Sequence, residues 1–226
     1  MSKLKNKPKA IIFDMDGVIV DSMPYHFLAW YEALRPWGVR VNCFDVYSKE
    51  GERWEKTLKS LLTRYRIIPT KPLLKKIFQD RQRIFRKNFK RYIFRGAPEI
   101  INCLRQKGYS VGLVTGTPDT ELRWILSSKI RMLFDGIVAG NEVKKGKPHP
   151  EPYLKAARIL GVSPSECVVI ENAPFGIASA KSAGMTCIAV TTSLPKEYLK
   201  AADIVLDELS QITAIVERSC RLPTGC

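Results

Sequence analysis

The chain has 226 residues, of which 45% are hydrophobic and 26% charged, with 14 Gly and 14 Pro. That length suits one globular domain, or one domain carrying a smaller insertion, and the composition excludes a disordered chain, a collagen-like repeat or a low-complexity tract. Lys and Arg number 37 against 22 acidic residues, a net charge of +15, and no apolar stretch approaches the roughly 18 residues a membrane span needs.

Residues 1–9 are basic, but a strand-like run follows directly, with no longer apolar segment and no cleavage-site pattern. A soluble, cytoplasmic protein is therefore expected. Ala10-Ile11-Ile12-Phe13 is the first buried strand. Later apolar runs at Val111–Val114, Ile137–Ala139, Val168–Ile170, Cys187–Val190 and Ile204–Leu206 lack polar alternation, which suits strands covered on both faces. Helical patterns fall between most of them: Pro98–Lys107, Thr120–Ser128, Pro152–Leu160, Pro174–Ala183 and Pro195–Ala201. Proline marks several starts, and Gly108, Gly161 and Gly184 follow three of the ends. Strand–helix repetition of this kind predicts an α/β fold, a Rossmann-like parallel sheet with helices on both faces.

Residues 21–94 break the rhythm, with amphipathic helical patterns and no buried strand. Leu73, Leu74, Ile77, Phe78, Ile84, Phe85 and Phe89 recur at helical spacing, and basic residues fill the other face. The segment is too long for an ordinary strand–helix connection. It reads as an α-helical cap inserted after the first strand, with hinges near Val20–Asp21 and Phe94–Gly96, on a core of residues 1–20 and 95–226. Between Arg64 and Arg95 stand twelve basic residues and one acid, Asp80. Such a field attracts anions, from small phosphate esters to nucleic acid. The cysteines (Cys43, Cys103, Cys167, Cys187, Cys220 and Cys226) form no CxxC pair and read as reduced thiols.

The strongest chemical signal is Asp14-Met15-Asp16-Gly17-Val18 at the end of the first strand, where open α/β sheets bind ligands. Two carboxylates side by side at a strand end have little structural use, and Mg²⁺ is a natural counter-ion for them. Val114-Thr115-Gly116-Thr117 ends the second strand. Lys145-Gly146-Lys147-Pro148-His149-Pro150 lies in a loop, and Glu171-Asn172-Ala173-Pro174 leads into a helix. In order and spacing these four segments resemble the motifs of the haloacid dehalogenase superfamily of phosphotransferases. The helical insertion is similar to the cap of its β-phosphoglucomutase and sugar-phosphatase branch.

That resemblance implies Mg²⁺-dependent hydrolysis of a small phosphate monoester, plausible as a phosphosugar, through an aspartyl-phosphate. Asp14 would be the nucleophile and Asp16 the proton donor and acceptor. Thr115, Gly116 and Thr117 would bind the phosphoryl group, and Lys147 would balance its charge. Asp14, Asp16, Glu171 and Asn172 would hold the metal, although relatives often have a second acid where this chain has Asn172. In the cap, His26 stands in a stretch resembling the family's residue near the acid/base. Arg53 and Lys56 fall where related caps contact substrate. Two alternatives stand beside the phosphatase. One is a phosphosugar mutase. The other is a non-catalytic protein of the same fold that binds anions or nucleic acid through the basic cap. A monomer and a dimer are both compatible with the sequence.

Overall fold

A computed structural model describes residues 8–218. The strands among them are β1 (Ala10–Asp14), β2 (Ser110–Val114), β3 (Gly136–Val138), β4 (Cys167–Glu171), β5 (Thr186–Val190) and β6 (Ile204–Leu206). They form one sheet in the order β3-β2-β1-β4-β5-β6, and every pairing is parallel. The chain runs outward from β1 to β3, then returns to β1's other edge with β4. Strand order therefore reverses between β1 and β4, and the crevice at their carboxyl ends is where such sheets receive ligands.

Helices α1 (Met23–Leu34), α2 (Cys43–Tyr47), α3 (Trp54–Arg64) and α4 (Lys71–Asn88) all lie between β1 and β2. The rest are α5 (Ala97–Gln106), α6 (Asp119–Ile125), α7 (Ser128–Arg131), α8 (Glu151–Ile159), α9 (Pro174–Ser182) and α10 (Ile212–Arg218). Alternation along β1 sorts the core. Ile11 and Phe13 pack with Ile101 and Leu104 of α5 and Ile212 of α10, while Ala10 and Ile12 pack with Tyr153 and Ala156 of α8 and Ile177 of α9. All five β1 residues are buried, as a strand covered on both faces requires.

The inserted helices have a core of their own, built from Trp30, Leu34, Leu58, Leu61, Leu62, Leu74 and Ile77. Ala29 and Phe85 join the cluster under the sheet instead, and so dock the insertion on it. Its two crossings are tied together: Asp21 N donates to Tyr92 O at 2.9 Å and Phe94 N to Ile19 O at 3.0 Å.

The structure departs from the sequence reading in three places. The helix expected over Thr120–Ser128 is two, because Leu126 is extended and the Ser127 side chain caps a new start. Pro195–Ala201 yields only a 3-10 turn at Lys196–Tyr198. On α4, Arg81 is buried rather than solvated with its basic neighbours. Cys43, Cys103, Cys167 and Cys187 are free thiols, while Cys220 and Cys226 lie outside the described residues. Among the described residues no helix is long and apolar enough to cross a membrane.

Candidate active site

Three chain segments meet at the switch point. Asp14 ends β1, Glu171 ends β4, and Lys147 reaches between them from the loop before α8. Lys147 Nζ lies 2.5 Å from Asp14 Oδ1 and 2.6 Å from Glu171 Oε1, and all three side chains are essentially inaccessible. Glu171 has no acceptor capacity left. Its Oε1 also accepts from Tyr153 Oη at 2.7 Å, and its Oε2 accepts from the amides of Asn172 and Ala173 at 2.9 and 3.2 Å. Gly176, in the first turns of α9, leaves the room this requires, since a Cβ there would overlap the carboxylate.

Asp16 is equally saturated. Its Oδ1 accepts from Ser22 Oγ at 2.6 Å and His26 Nε2 at 3.0 Å; its Oδ2 accepts from the hydroxyls of Thr115 at 3.0 Å and Thr117 at 3.1 Å. Burial alone would raise this carboxyl, but the hydrogen bonds from His26, Ser22 and Thr115 outweigh it and hold it below the usual carboxylate range. The tautomer of His26 follows from its other neighbour. Arg81 Nη2 bonds to His26 Nδ1, and because guanidinium can only donate, Nδ1 must be bare and Nε2 must carry the proton given to Asp16. Arg81 also meets Glu121 of α6 at 3.4 Å and lies 4.9 Å over the Phe85 ring. A buried chain of contacts thus runs Glu121–Arg81–His26–Asp16.

Asp14 differs from both neighbours. Its Oδ1 meets Lys147, but its Oδ2 is buried and has no hydrogen-bond partner. Burial pushes this carboxyl up to about 8; Lys147 pulls it down, while Glu171 and Asp16 push it further up. Gly17 beside it takes a positive φ of 84°, and a Cβ there would collide with the Asn172 amide. Only glycine fits this turn without strain.

A cavity of about 200 Å³ adjoins these groups, lined from the insertion by His26, Glu50, Arg53 and Arg81 and from the core by Gly116, Thr117 and Glu121. Lys56 does not reach it: that side chain is 71% exposed and pairs with Glu52. The insertion sits directly on the core at Gly51. A Cβ on Gly116 would lie 2.6 Å from Gly51 Cα, and a Cβ on Gly51, where φ is +79°, would run into the Lys147 stem. Gly51→Ala is therefore expected to keep its fold but displace either the cap turn or Lys147. A misplacement of that size should lower kcat/KM by roughly 10²-fold with only a small change in melting temperature, which steady-state kinetics and a thermal melt would check.

A family model for haloacid dehalogenase-like hydrolases matches residues 8–184. The chain belongs to this family. It is 31% identical to the β-phosphoglucomutase of Bacillus subtilis (strain 168), over 91% of this chain and 92% of that one. It is 30% identical to a phosphorylated carbohydrates phosphatase of Thermotoga maritima, over 92% of this chain and 98% of the relative. The solved structure of a β-phosphoglucomutase from Clostridium difficile matches with a TM-score of 0.79 at 24% identity, covering 94% of this chain and 99% of that one, which shows the shared fold.

Enzymes of the haloacid dehalogenase-like family generally work with Mg²⁺, a hard cation that takes oxygen ligands. Among the described residues no three His, Cys, Asp or Glu side chains surround a common metal position. Two buried oxygens are nevertheless left without partners at the switch point, Asp14 Oδ2 and Asn172 Oδ1. Hard oxygen donors left bare in this way suit Mg²⁺, which keeps several waters and needs few protein ligands. The Asp16 and Glu171 carboxylates, also expected as ligands, are bonded by protein donors in this arrangement.

Sequence reasoning missed four contributors to this hydrolase site: Ser22, Glu50, Arg81 and Tyr153. Arg81 had a readable signal, since Leu74, Ile77, Arg81 and Phe85 form one stripe along α4 and an arginine among them must be buried. Glu50 had none. Its carboxyl is driven well above its usual range by burial, then by the charges of Asp16 and Asp14, a proximity created only by how the insertion folds back.

Proposed function

We propose that this hydrolase is a phosphatase that cleaves the monophosphate ester of a small polyhydroxylated compound, a phosphosugar, through a covalent intermediate on Asp14. The observation that carries the reading is the bare Oδ2 of Asp14, a buried carboxylate oxygen beside an ammonium, while both neighbouring carboxylates are fully bonded. In the first step an Asp14 oxygen bonds to phosphorus and the ester oxygen leaves, taking a proton from Asp16. In the second, Asp16 takes a proton from water, which attacks the aspartyl-phosphate and frees Asp14.

Asp16 needs both protonation states for this, and its donors suggest how. Thr115 and Thr117 donate to its carboxylate here. An arriving phosphoryl dianion would compete for those hydroxyls and place negative charge nearby, and both effects raise the pKa of Asp16. Lys147 balances charge on Asp14 throughout. Mg²⁺ held by Asp14 and Asn172 would add the cationic charge that a carboxylate needs to approach a phosphate dianion. In this reading residues 21–94 are a cap that opens for substrate and closes to exclude water.

The cavity favours a phosphatase over a mutase. A mutase must retain a sugar bisphosphate, so its pocket needs free cations for a second phosphate. Here Glu50, Glu52, Glu55 and Glu121 line the cavity, while Arg53 stands 3.7 Å from Glu55 and Arg81 3.4 Å from Glu121. Only Lys49 among the lining cations lacks a carboxylate within ion-pair distance among the described residues. The non-catalytic reading draws less support: Phe85 is buried and Phe78 is stacked on Trp54 at 3.9 Å, so neither is free to stack on a base.

The test is to assay hexose and polyol monophosphates, with and without Mg²⁺, for both inorganic phosphate and isomerised sugar phosphate. Stoichiometric phosphate release that EDTA abolishes and Mg²⁺ restores is the expected result. Isomer formation with little release would select the mutase, and release indifferent to EDTA would remove the metal from the scheme.

A further inference from the structure

A second cleft, of about 650 Å³, lies between the start of α3 and the core loop 144–150, sharing Glu52, Arg53 and Glu55 with the catalytic cavity. Its walls come from different parts of the fold. The insertion supplies Arg53, Lys56 and Lys59; the core supplies Lys144, Lys145 and His149.

Charge balance distinguishes this cleft from the catalytic one. Its two lining acids are matched, Glu52 with Lys56 at 3.1 Å and Glu55 with Arg53 at 3.7 Å. The Lys147 ammonium is neutralised between Asp14 and Glu171. Lys59, Lys144 and Lys145 have no carboxylate within ion-pair distance among the described residues. The Glu151 carboxylate accepts from the backbone amides of Lys144 and Lys145, at 2.7 and 3.0 Å, and its charge acts on Lys144 from there without an ion pair to the ammonium. Cations facing one another across a concave gap focus an attractive field for anions more strongly than the same charges on a flat surface.

We propose that this cleft is a second binding site, for a small anion carrying two or more phosphate groups, which bridges the insertion to the core. The volume falls in the range of small-ligand pockets, about 300–1,000 Å³, which favours a compact metabolite over a polymer. More than one phosphate is required because the three ammoniums without an ion pair stand on both walls. Bound there, such an anion favours the arrangement in which Gly51 rests against Lys147, and so couples its concentration to closure over the active site.

The experiment is a calorimetric titration with inorganic tripolyphosphate at about 150 mM salt, where exposed charges more than ~8 Å apart are largely screened. The wild type is compared with Lys59→Glu/Lys144→Glu and with the milder Lys59→Gln/Lys144→Gln. Single-site binding is expected in the wild type, weakened at least tenfold by the Glu pair and less by the Gln pair. Phosphate-ester turnover without tripolyphosphate should be unchanged in both variants. No binding, or equal affinity in all three proteins, would overturn the proposal, the second result placing the anion in the catalytic cavity. Binding of a single-stranded oligonucleotide but not of tripolyphosphate would overturn it in favour of a polymer. The readout is heat of binding, so it stands or falls separately from the phosphatase reading.

Discussion

Asp14→Asn is expected to lower kcat by roughly 10⁵-fold, the scale seen when a covalent nucleophile is removed from a site whose other groups remain. The substitution keeps the shape of the side chain but leaves no oxygen able to attack phosphorus. None of the neighbours can take over, because the Glu171 and Asp16 oxygens are each held by protein donors. Stability should move the other way. The Asp14 carboxyl is fully buried and pushed up to about 8, so its ionised form opposes folding at neutral pH. The variant should therefore melt no lower than the wild type. Phosphate-release kinetics and a melting curve test both halves; activity above about a thousandth of wild type would show that the bond to phosphorus forms elsewhere.

Lys147→Met should be costly in both respects. The ammonium is 1% exposed and touches two buried carboxylates, Asp14 at 2.5 Å and Glu171 at 2.6 Å. Deleting one member of such a cluster leaves uncompensated buried charge, which typically costs about 3–5 kcal/mol. Loss of the charge facing the phosphoryl group should lower kcat by a further 10²–10³-fold or so.

The stability loss should depend on pH with a definite sign. Asp14 already has a folded-state pKa raised to about 8 with Lys147 in place. Without the ammonium it rises further. A carboxyl raised on folding opposes folding once the pH exceeds its unfolded value, and the penalty grows until the folded pKa is reached. The variant should thus fall further behind the wild type above about pH 8 than below it, as melts at about pH 7 and about pH 9.5 would show. A deficit independent of pH would mean that lost packing, not charge, dominates.

The motif residues were legible for a specific reason. Asp14 and Glu171 end neighbouring parallel strands, so reading the strands correctly places their carboxylates at one edge of the sheet. Thr115, just past the end of β2, follows in the same way, whereas Lys147 was singled out only by the family motif it matches, because a lysine in a Gly/Pro-rich loop reads by itself as a solvated surface residue. The helix divided at Leu126 was not legible, because Trp124-Ile125-Leu126 continues an apolar pattern that the chain abandons only to pack against its surroundings. Pro195–Ala201 has the composition of a helix start, yet it is too short to sustain one without a packing face.

The cap contacts divided along the same line. His26 was identified by its similarity to a family stretch, and its ring does bond to Asp16. Lys56, chosen on the same kind of evidence, points into a different cleft. On a solvent-facing helix start one residue of register decides which cavity a side chain enters, and nothing in the local pattern fixes that.

Strand ends, the Asp14–Asp16 pair and the presence of a helical insertion are written in the chain itself, because burial on both faces of a sheet imposes apolar runs and a long interruption stands out against them. Which carboxylate keeps a bare oxygen, which tautomer His26 adopts and where Arg81 and Glu50 come to rest were decided only in three dimensions. Each depends on hydrogen-bond donors arriving from segments far apart in the chain, such as Ser22 and Thr115 on Asp16 or Tyr153 on Glu171, and the count of donors around an oxygen has no one-dimensional signature.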